Sequence, residues 1–149
     1  MASTEPIKEN FSQRKSGKLY TAHIESQARV EFKDISSLVQ KFVTDSGVQS
    51  GMCFLFVPHT TAAILINEND DPALQKDLGN FLKSLAPRDG SYHHDDGNCD
   101  AHLKAAVIGN SKWLFVEDGR LVLGRWQGIF LCEFDGPRRR DLRVKVLPD

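Results

Sequence analysis

Histidines are the residues of this chain whose type and spacing point most directly to chemistry. His93, His94 and His102 lie in the polar stretch 92–102, which also contains three aspartates, and His59 lies far upstream. Neutral imidazole suits zinc and similar divalent ions, and three imidazoles with one open position form a water-activating zinc site. The spacing of His94 and His102 matches no standard zinc-finger or protease pattern. A solvated loop whose histidines only form hydrogen bonds is therefore the alternative interpretation.

Two short apolar runs must position the upstream candidates. Residues 52–57 are rich in strand formers and predict a central strand that is buried on both faces. Pro58 cannot donate to a sheet ladder and marks the end of that strand. His59, Thr60 and Thr61 then lie at a strand terminus, where functional groups are often mounted on a rigid scaffold.

The second run, residues 62–66, delivers Asn67 and Glu68 at its own end. If the two strands pair directly, their neighbouring ends lie about 4.8 Å apart. Glu68 could then serve as a general acid/base within reach of a metal-bound water. The alternative is that Glu68 only orients a ligating histidine through a hydrogen bond.

Composition limits the classes of protein to which this chain can belong. Its 149 residues are 40% apolar and 26% charged, with a net charge of −1, which indicates one globular domain. That charge argues against a chain that coats nucleic acid or an anionic membrane surface. No stretch approaches 18 apolar residues, and the three widely spaced cysteines predict no disulfide framework. We expect a cytoplasmic protein that binds neither nucleic acid nor membrane.

Hydrophobic periodicity predicts an α+β fold with two to three helices. Asp34 is the predicted cap of a first helix that ends at Gly47, and Asp71-Pro72 begins a second. Asp100 is the predicted cap of a short third helix. Residues 1–10 read as a flexible tail and 11–149 as a single domain. The buried stripe of the second helix is predicted to be Leu74, Leu78, Phe81, Leu82 and Leu85.

The predicted strands alternate with these helices and dominate the C-terminal half. A hairpin turn at Ser16-Gly17 joins strands 11–15 and 18–26, and a second hairpin turns at 117–119. The remaining predicted strands cover 113–116, 120–123, 129–134 and 142–147.

Two further groups of side chains have both a binding and a structural interpretation. Arg140, in the basic run 138–140, has a planar fork that matches a phosphate group, but the run could equally be charge on an exposed sheet edge. Trp126 and Gln127 follow a glycine bend. They could form a ligand platform, although a packed indole is the simpler interpretation.

Several motifs follow one another along the chain in a characteristic order. They are Pro58-His59-Thr60-Thr61-Ala62, Ile66-Asn67-Glu68-Asn69, Asp77, His94 with Asn98, Ala101-His102, Gly119-Arg120-Leu121-x-Leu123-Gly124-x-Trp126-Gln127, and Arg140. With these motifs, nearly the whole chain, from about residue 11 to residue 147, resembles the YjbQ-type proteins, also called the secondary thiamine-phosphate synthase family. Two positions depart from the usual pattern of that family, namely Arg125 before Trp126 and Cys99 after Asn98.

The resemblance implies antiparallel sheets in a sandwich-like core, a homotrimeric assembly, and a site that uses the imidazoles of His59, His94 and His102. We therefore predict a divalent metal, zinc, held by these three histidines, and Glu68 as the catalytic group. The predicted ligand-binding residues are Thr60, Thr61, Asn67, Asn98, Trp126, Gln127 and Arg140.

Two functions remain open at this stage. The first is a metal-dependent enzyme that acts on a small phosphorylated metabolite, either as a transferase resembling a weak thiamine-phosphate synthase or as a phosphoester hydrolase. The second is a homotrimer that binds a metal or a small ligand without turnover. No sequence feature separates the two, whereas turnover assays do.

Overall fold

A computed structural model describes residues 17–149, so the predicted tail 1–10, the strand 11–15 and Ser16 of the first hairpin turn lie outside the described residues. None of the described helices is long and apolar enough to cross a membrane. The helices are α1 (Ser36–Ser46), α2 (Pro72–Leu85) and α3 (Cys99–Ile108). The strands are β1 (Lys18–Glu25), β2 (Glu31–Asp34), β3 (Gly51–Phe56), β4 (Ala62–Glu68), β5 (Ser111–Glu117), β6 (Arg120–Leu121), β7 (Gln127–Glu133) and β8 (Arg139–Pro148).

The strands form two antiparallel sheets, which confirms the predicted α+β class. The larger sheet has the order β1-β8-β3-β5-β6, and the smaller has the order β2-β7-β4. One apolar cluster joins the inner face of the larger sheet to the smaller sheet and to α1. A second cluster lies on the other face of the smaller sheet, between that sheet and helices α2 and α3. The smaller sheet is therefore buried on both faces.

Strand β3 is central, as predicted, but it is not buried on both faces. Cys53 and Leu55 are in the core, whereas Phe54 and Phe56 are 39% and 43% exposed. Side chains alternate between the two faces of a strand, so the exposed pair lies on the outer face of the larger sheet. An apolar run cannot show by itself whether a second layer covers that face. The prediction of double burial was wrong for this reason.

The two strands expected to pair directly belong to different sheets. β3 pairs with β5 and β8, whereas β4 pairs with β7, so the premise that placed Glu68 beside His59 was wrong. β4 is seven residues long, and its ends lie about 20 Å apart at roughly 3.4 Å per residue. Ala62 lies beside His59 in one cavity, which places Glu68 at the far end of its strand.

Two of the three helices have N-caps one or two residues away from the predicted caps. Asp34 accepts a hydrogen bond from the Ser36 N–H at 2.9 Å, but the N-cap residue of α1 is Ile35. Asp71 caps α2 as predicted, and Gly47 ends α1 at φ +71°, a conformation that favours glycine. Asp100 is not the cap of α3, because the helix already begins after Asn98.

The predicted apolar stripe of α2 is only partly buried. Leu82 is buried, whereas Phe81 and Leu85 are 62% and 55% exposed. Helix α2 therefore contacts the smaller sheet along a narrower strip than its sequence predicts. The side chains left outside form an apolar edge on the helical layer.

Candidate active site around His59 and His102

A cavity of about 500 Å³ opens where the ends of β3, α3 and β8 meet. It is within the range of sizes that hold small metabolites. The loop after β3 supplies one wall and the start of α3 supplies another. The residues that line it are Phe56, Val57, Pro58, His59, Thr60, Thr61, Asn98, His102, Asn110, Asp135, Arg138 and Arg140.

His59 has a defined tautomer in this cavity. Its Nε2 accepts a hydrogen bond from the Asp141 backbone N–H at 2.8 Å, so the proton of the neutral ring is on Nδ1. Burial and the nearby positive charge of Arg140 lower the pKa of His59 below its ordinary value. The neutral ring can therefore donate a hydrogen bond to an acceptor, such as a phosphate oxygen, through Nδ1 at neutral pH.

The histidines of the polar loop lie against each other at the start of α3. The rings of His94 and His102 meet edge-on with their centroids 5.1 Å apart. Asn98 links them to the cavity floor, because its Nδ2 donates to Asp135 Oδ2 at 2.9 Å and its Oδ1 lies 3.2 Å from His94 Nε2. Oδ1 of Asn98 is an acceptor, so His94 carries its proton on Nε2 and keeps a lone pair on Nδ1.

The imidazoles of His59, His94 and His102 are suitable ligands for a divalent metal, but their arrangement in this structure does not form a metal site. Within residues 17–149, no three His, Cys, Asp or Glu side chains lie close enough together to hold one ion. His59 commits the lone pair of Nε2 to Asp141, and a ring protonated on Nδ1 offers no second lone pair. Ligation by His59 would require its ring to turn and to give up that hydrogen bond. The zinc site of His59, His94 and His102 therefore stays a prediction.

Arg140 lies in the wall of the cavity, but most of its fork is already committed. It is 2% exposed, and its Nε donates to Glu133 Oε1 at 2.9 Å. Its Nη2 donates to Glu133 Oε2 and to Thr61 Oγ1, the latter at 2.7 Å. Burial alone would raise the pKa of Glu133, but hydrogen bonds from Arg140 and Ser26 lower it, so the pair is ionised. Arg140 is therefore neither an exposed charge on a sheet edge nor a free clamp for a phosphate group.

The two threonines of the loop after β3 have different environments. Thr61 is 4% exposed, and both its hydroxyl and its carbonyl accept from Arg140. Thr60 is exposed and lines the cavity. Thr60 therefore has a hydroxyl available to a ligand, whereas Thr61 holds the arginine in position.

Sequence reasoning missed two charged residues of this cavity. Asp135, in the stretch Asp135-Gly136-Pro137 that favours a turn, was not among the candidates, and Arg138 was interpreted only as part of the basic run 138–140. Arg138 Nη2 donates to Asp135 Oδ2 at 3.1 Å, and the same carboxylate accepts from Asn98. The Asp-Gly-Pro turn signal showed where the chain reverses. It did not show that α3 would lie against that turn.

The other predicted residues form a second group, away from the cavity. Glu68 is paired in register with Gln127, and Asn67 with Gly128. The Gln127 Oε1 accepts the Gly124 N–H at 2.7 Å, which closes the turn before β7. Trp126 is 50% exposed instead of packed. Its ring lies 4.7 Å from the guanidinium carbon of Arg125, the residue that departs from the family pattern.

A buried ion-pair network holds α3 in place behind the histidines. Asp100 is fully buried and accepts from Arg29 Nη1 and Nη2 at 3.1 and 3.0 Å, and from Lys104 Nζ at 2.9 Å. Burial opposes ionisation of Asp100, but the two cations lower its pKa from 3.8 to about 2. The helix that carries His102 is thus fixed to the loop between β1 and β2.

This network predicts a pH dependence of stability. A pKa lowered in the folded state stabilises the fold above the unfolded value, and this stabilisation is lost as pH falls through the folded value. For Asp100 the contribution is about 2 kcal/mol, present above about pH 4 and lost toward about pH 2. Chemical denaturation of the wild type and of Asp100→Asn should show a large difference in unfolding free energy at pH 6 that shrinks toward pH 2. A difference that does not change with pH would contradict this assignment.

Comparison with known proteins agrees with the arrangement of strands and motifs. The family model described as UPF0047 protein YjbQ-like matches residues 20–149. A UPF0047 protein of Methanocaldococcus jannaschii is 44% identical over 88% of this chain and 95% of its own length. The protein YugU of Bacillus subtilis is 42% identical over 87% of this chain and 98% of its own length.

Solved structures of similar proteins show the same fold. A YjbQ/UPF0047 family protein of Clostridium acetobutylicum has a TM-score of 0.84 at 44% identity, and the match covers 86% of this chain and 99% of that one. A protein of unknown function from Sulfolobus solfataricus has a TM-score of 0.85 at 36% identity, covering 90% of this chain and 100% of that one. The chain described here therefore belongs to the YjbQ/UPF0047 family.

Proposed function

We propose that this protein is an enzyme that acts on a small phosphorylated metabolite in the cavity around His59 and His102. The observation that supports this most is the convergence of two histidines, an exposed threonine and Arg138 on one cavity of about 500 Å³. Donors arranged in this way match the oxygens of a phosphate group. The family resemblance favours a transferase that joins a thiazole phosphate to a pyrimidine pyrophosphate, and the same groups would also serve phosphoester hydrolysis.

Each cavity residue has a role in this proposal. Thr60 binds the phosphate oxygens, as does the Nδ1–H of His59 while its ring keeps the orientation described above. Arg138, whose side chain is exposed, supplies positive charge at the edge of the cavity. His102 is a predicted ligand of the metal, and Glu68 stays the predicted acid/base group that transfers the proton. Arg140 acts by holding Thr61, and thus the loop that carries Thr60 and His59.

A divalent metal, zinc, is part of the proposal on the strength of the imidazole chemistry. Nδ1 of His94 keeps a lone pair, His102 lies beside it, and His59 lines the same cavity as His102. A bound cation would neutralise phosphate charge or lower the pKa of a bound water.

Metal analysis of protein purified without a histidine tag tests the metal directly. We expect about one zinc per chain, and we expect His94→Ala and His102→Ala to lower metal affinity by at least about 100-fold, since each removes one of three ligands. His93→Ala is the matched control on the same loop. Metal content that none of these substitutions changes would remove the predicted site.

A turnover screen tests the activity and separates it from the alternative function. The substrates are the thiazole phosphate and pyrimidine pyrophosphate pair and p-nitrophenyl phosphate, each with and without added zinc. Slow turnover that depends on His102 would support the enzyme. Saturable binding without turnover would support the alternative, a homotrimer that binds a ligand without catalysis.

We also propose the homotrimer that the family resemblance implies, and one surface supports it. The outer face of the larger sheet exposes Phe54, Phe56, Trp113 and Phe115, which are between 39% and 53% exposed. Phe54 and Trp113 are directly paired in register, and the rings of Trp113 and Phe115 lie 5.1 Å apart. A contiguous aromatic patch of this kind is typical of a subunit interface.

The substitution Trp113→Glu tests this surface. A buried, unpaired carboxylate should cost several kcal/mol of association free energy, so we expect sedimentation to show a smaller species at micromolar concentration. Phe81→Glu, an equally apolar and exposed position on α2, is the control and should leave the assembly unchanged. A wild-type monomer would rule out the trimer. Dissociation by Phe81→Glu alone would move the interface to the helical layer.

A further inference from the structure

A second cavity lies on the opposite side of α3 from the histidines. Its volume is about 340 Å³, it is more enclosed than the histidine cavity, and the two share no lining residue. It opens between α2, α3 and the loop that joins β1 to β2. Its lining consists of Arg29, Val30, Gly79, Asn80, Leu82, Lys83, Arg88, Asp100, Lys104 and Phe134.

The charge of this lining is strongly unbalanced. Arg29, Lys83, Arg88 and Lys104 are cations, and Asp100 is the one lining carboxylate. The buried carboxylate offsets a single positive charge, so the walls retain a net charge of about +3 at neutral pH. A cavity of this kind attracts a multivalent anion.

The donors of the buried Lys104 and the half-buried Arg29 exceed the acceptors that residues 17–149 supply. Lys104 is 4% exposed and gives one of its three N–H groups to Asp100. Arg29 gives two of its five N–H groups to the same carboxylate. Among residues 17–149, no other acceptor meets the remaining donors of these two side chains. A buried lysine with unused donors in a cavity wall calls for an acceptor from a ligand or from ordered water.

The remaining walls are apolar. Leu82 and Phe134 are buried core residues, and Val30 lies at the mouth of the cavity. Lys83 and Arg88 are exposed and lie at the rim. A ligand that fits has one strongly anionic end, which meets the four cations, and one apolar body, which contacts the valine, leucine and phenylalanine.

We infer that this cavity is a second ligand site, which takes a small phosphate monoester with an apolar body. The surplus of three positive charges favours a phosphate dianion over a carboxylate, and the four cations approach from separate elements, as three phosphate oxygens require. The inference does not rest on the proposed reaction, because it uses other residues on another face of α3. Occupation would tie α2 and the β1–β2 loop to the helix that carries His102.

Phenyl phosphate is the probe, and methyl NMR of the full chain is the readout. Val30 and Leu82 report this cavity, whereas Val57 and Ala62 report the histidine cavities. We expect saturable, millimolar binding of phenyl phosphate that shifts Val30 and Leu82. Phenol should give no comparable shift, and inorganic phosphate and benzoate should bind more weakly.

The rim cations supply variants that leave the buried network intact. Replacing both Lys83 and Arg88 by glutamine should weaken phenyl phosphate binding by about 5- to 25-fold. The effect is modest because each substitution removes one charge contact that solvent partly screens. Lys76→Gln, an exposed position on α2 away from the cavity, is the matched control and should leave the affinity unchanged. Unshifted Val30 and Leu82 resonances, or equal weakening by Lys76→Gln, would overturn the site. Benzoate binding as tightly as phenyl phosphate would overturn the phosphate assignment. Shifts confined to Val57 and Ala62 would overturn this site while supporting the histidine cavity.

Discussion

Replacing Arg140 with methionine should reduce the unfolding free energy by about 3–5 kcal/mol, the cost of leaving one partner of a buried ion pair without its counter-charge. Glu133 is 1% exposed and would keep its carboxylate among apolar neighbours, with only Ser26 and nearby backbone N–H groups as donors. Thr61 would also lose its donor at both the hydroxyl and the carbonyl. Urea denaturation at neutral pH measures the change.

Two comparisons show whether the lost ion pair is the cause. Arg139→Met removes the same charge from an exposed neighbouring position and should change the stability by no more than about 0.5 kcal/mol. The double substitution Glu133→Leu with Arg140→Met should recover most of the loss, since it leaves no buried charge unpaired. A loss below about 1 kcal/mol in Arg140→Met would show that the arginine does not hold the loop. Its predicted role as a phosphate clamp would then regain support.

Mixing the variants Glu68→Gln and His102→Ala should restore turnover if each active site of the trimer combines residues from two subunits. Glu68 stays the predicted acid/base group, and its replacement by glutamine should lower turnover by roughly 100- to 10,000-fold with metal content unchanged. Within one chain, however, Glu68 lies at the far end of β4 from the histidine cavity. It can serve that cavity only if a neighbouring subunit brings it there.

The experiment combines Glu68→Gln with His102→Ala. If His102 of one subunit works with Glu68 of the next, random trimers from an equal mixture contain wild-type pairs at about a quarter of their sites. Turnover should then recover to about a quarter of the wild-type value, from two variants that are each nearly inactive. A mixture as inactive as its components would show that Glu68 does not complete the site. A single variant Glu68→Gln with full turnover and full metal content would remove its catalytic role altogether.

The sequence by itself determined the family and most of the elements, but it did not predict the short strand β2. Alternation, apolar runs and turn residues located the predicted strands and helices within residues 17–149 to within a few residues, because these signals depend on neighbours in the chain. Asp71 at the start of α2 and Gly47 at the end of α1 are local devices of this kind. The motifs around His59, His94 and His102 were enough to identify the YjbQ/UPF0047 family.

Only the tertiary structure decided which residues share a site. β3 and β4 are consecutive in the chain but belong to different sheets, and Glu68, nine residues after His59, lies at the end of β4 away from the histidine cavity. Strand pairing depends on contacts that are distant in sequence, and no local pattern records which strands become neighbours. His59 and His102 could be grouped only once α3 lay beside the loop after β3.

Burial was decided in the same way. Arg140 and Asp100 are residue types that usually lie on the surface, yet both are buried here. Arg140 bonds to Thr61 and Asp100 bonds to Arg29, and both of these partners are distant in sequence. Conversely, Phe54 and Trp113 are residue types that usually lie in the core, yet they lie on the outer face of the larger sheet. A charge can be buried only where its partner is also placed, and an aromatic side chain is covered only where another layer exists. Both conditions are properties of the assembled fold and not of the local sequence.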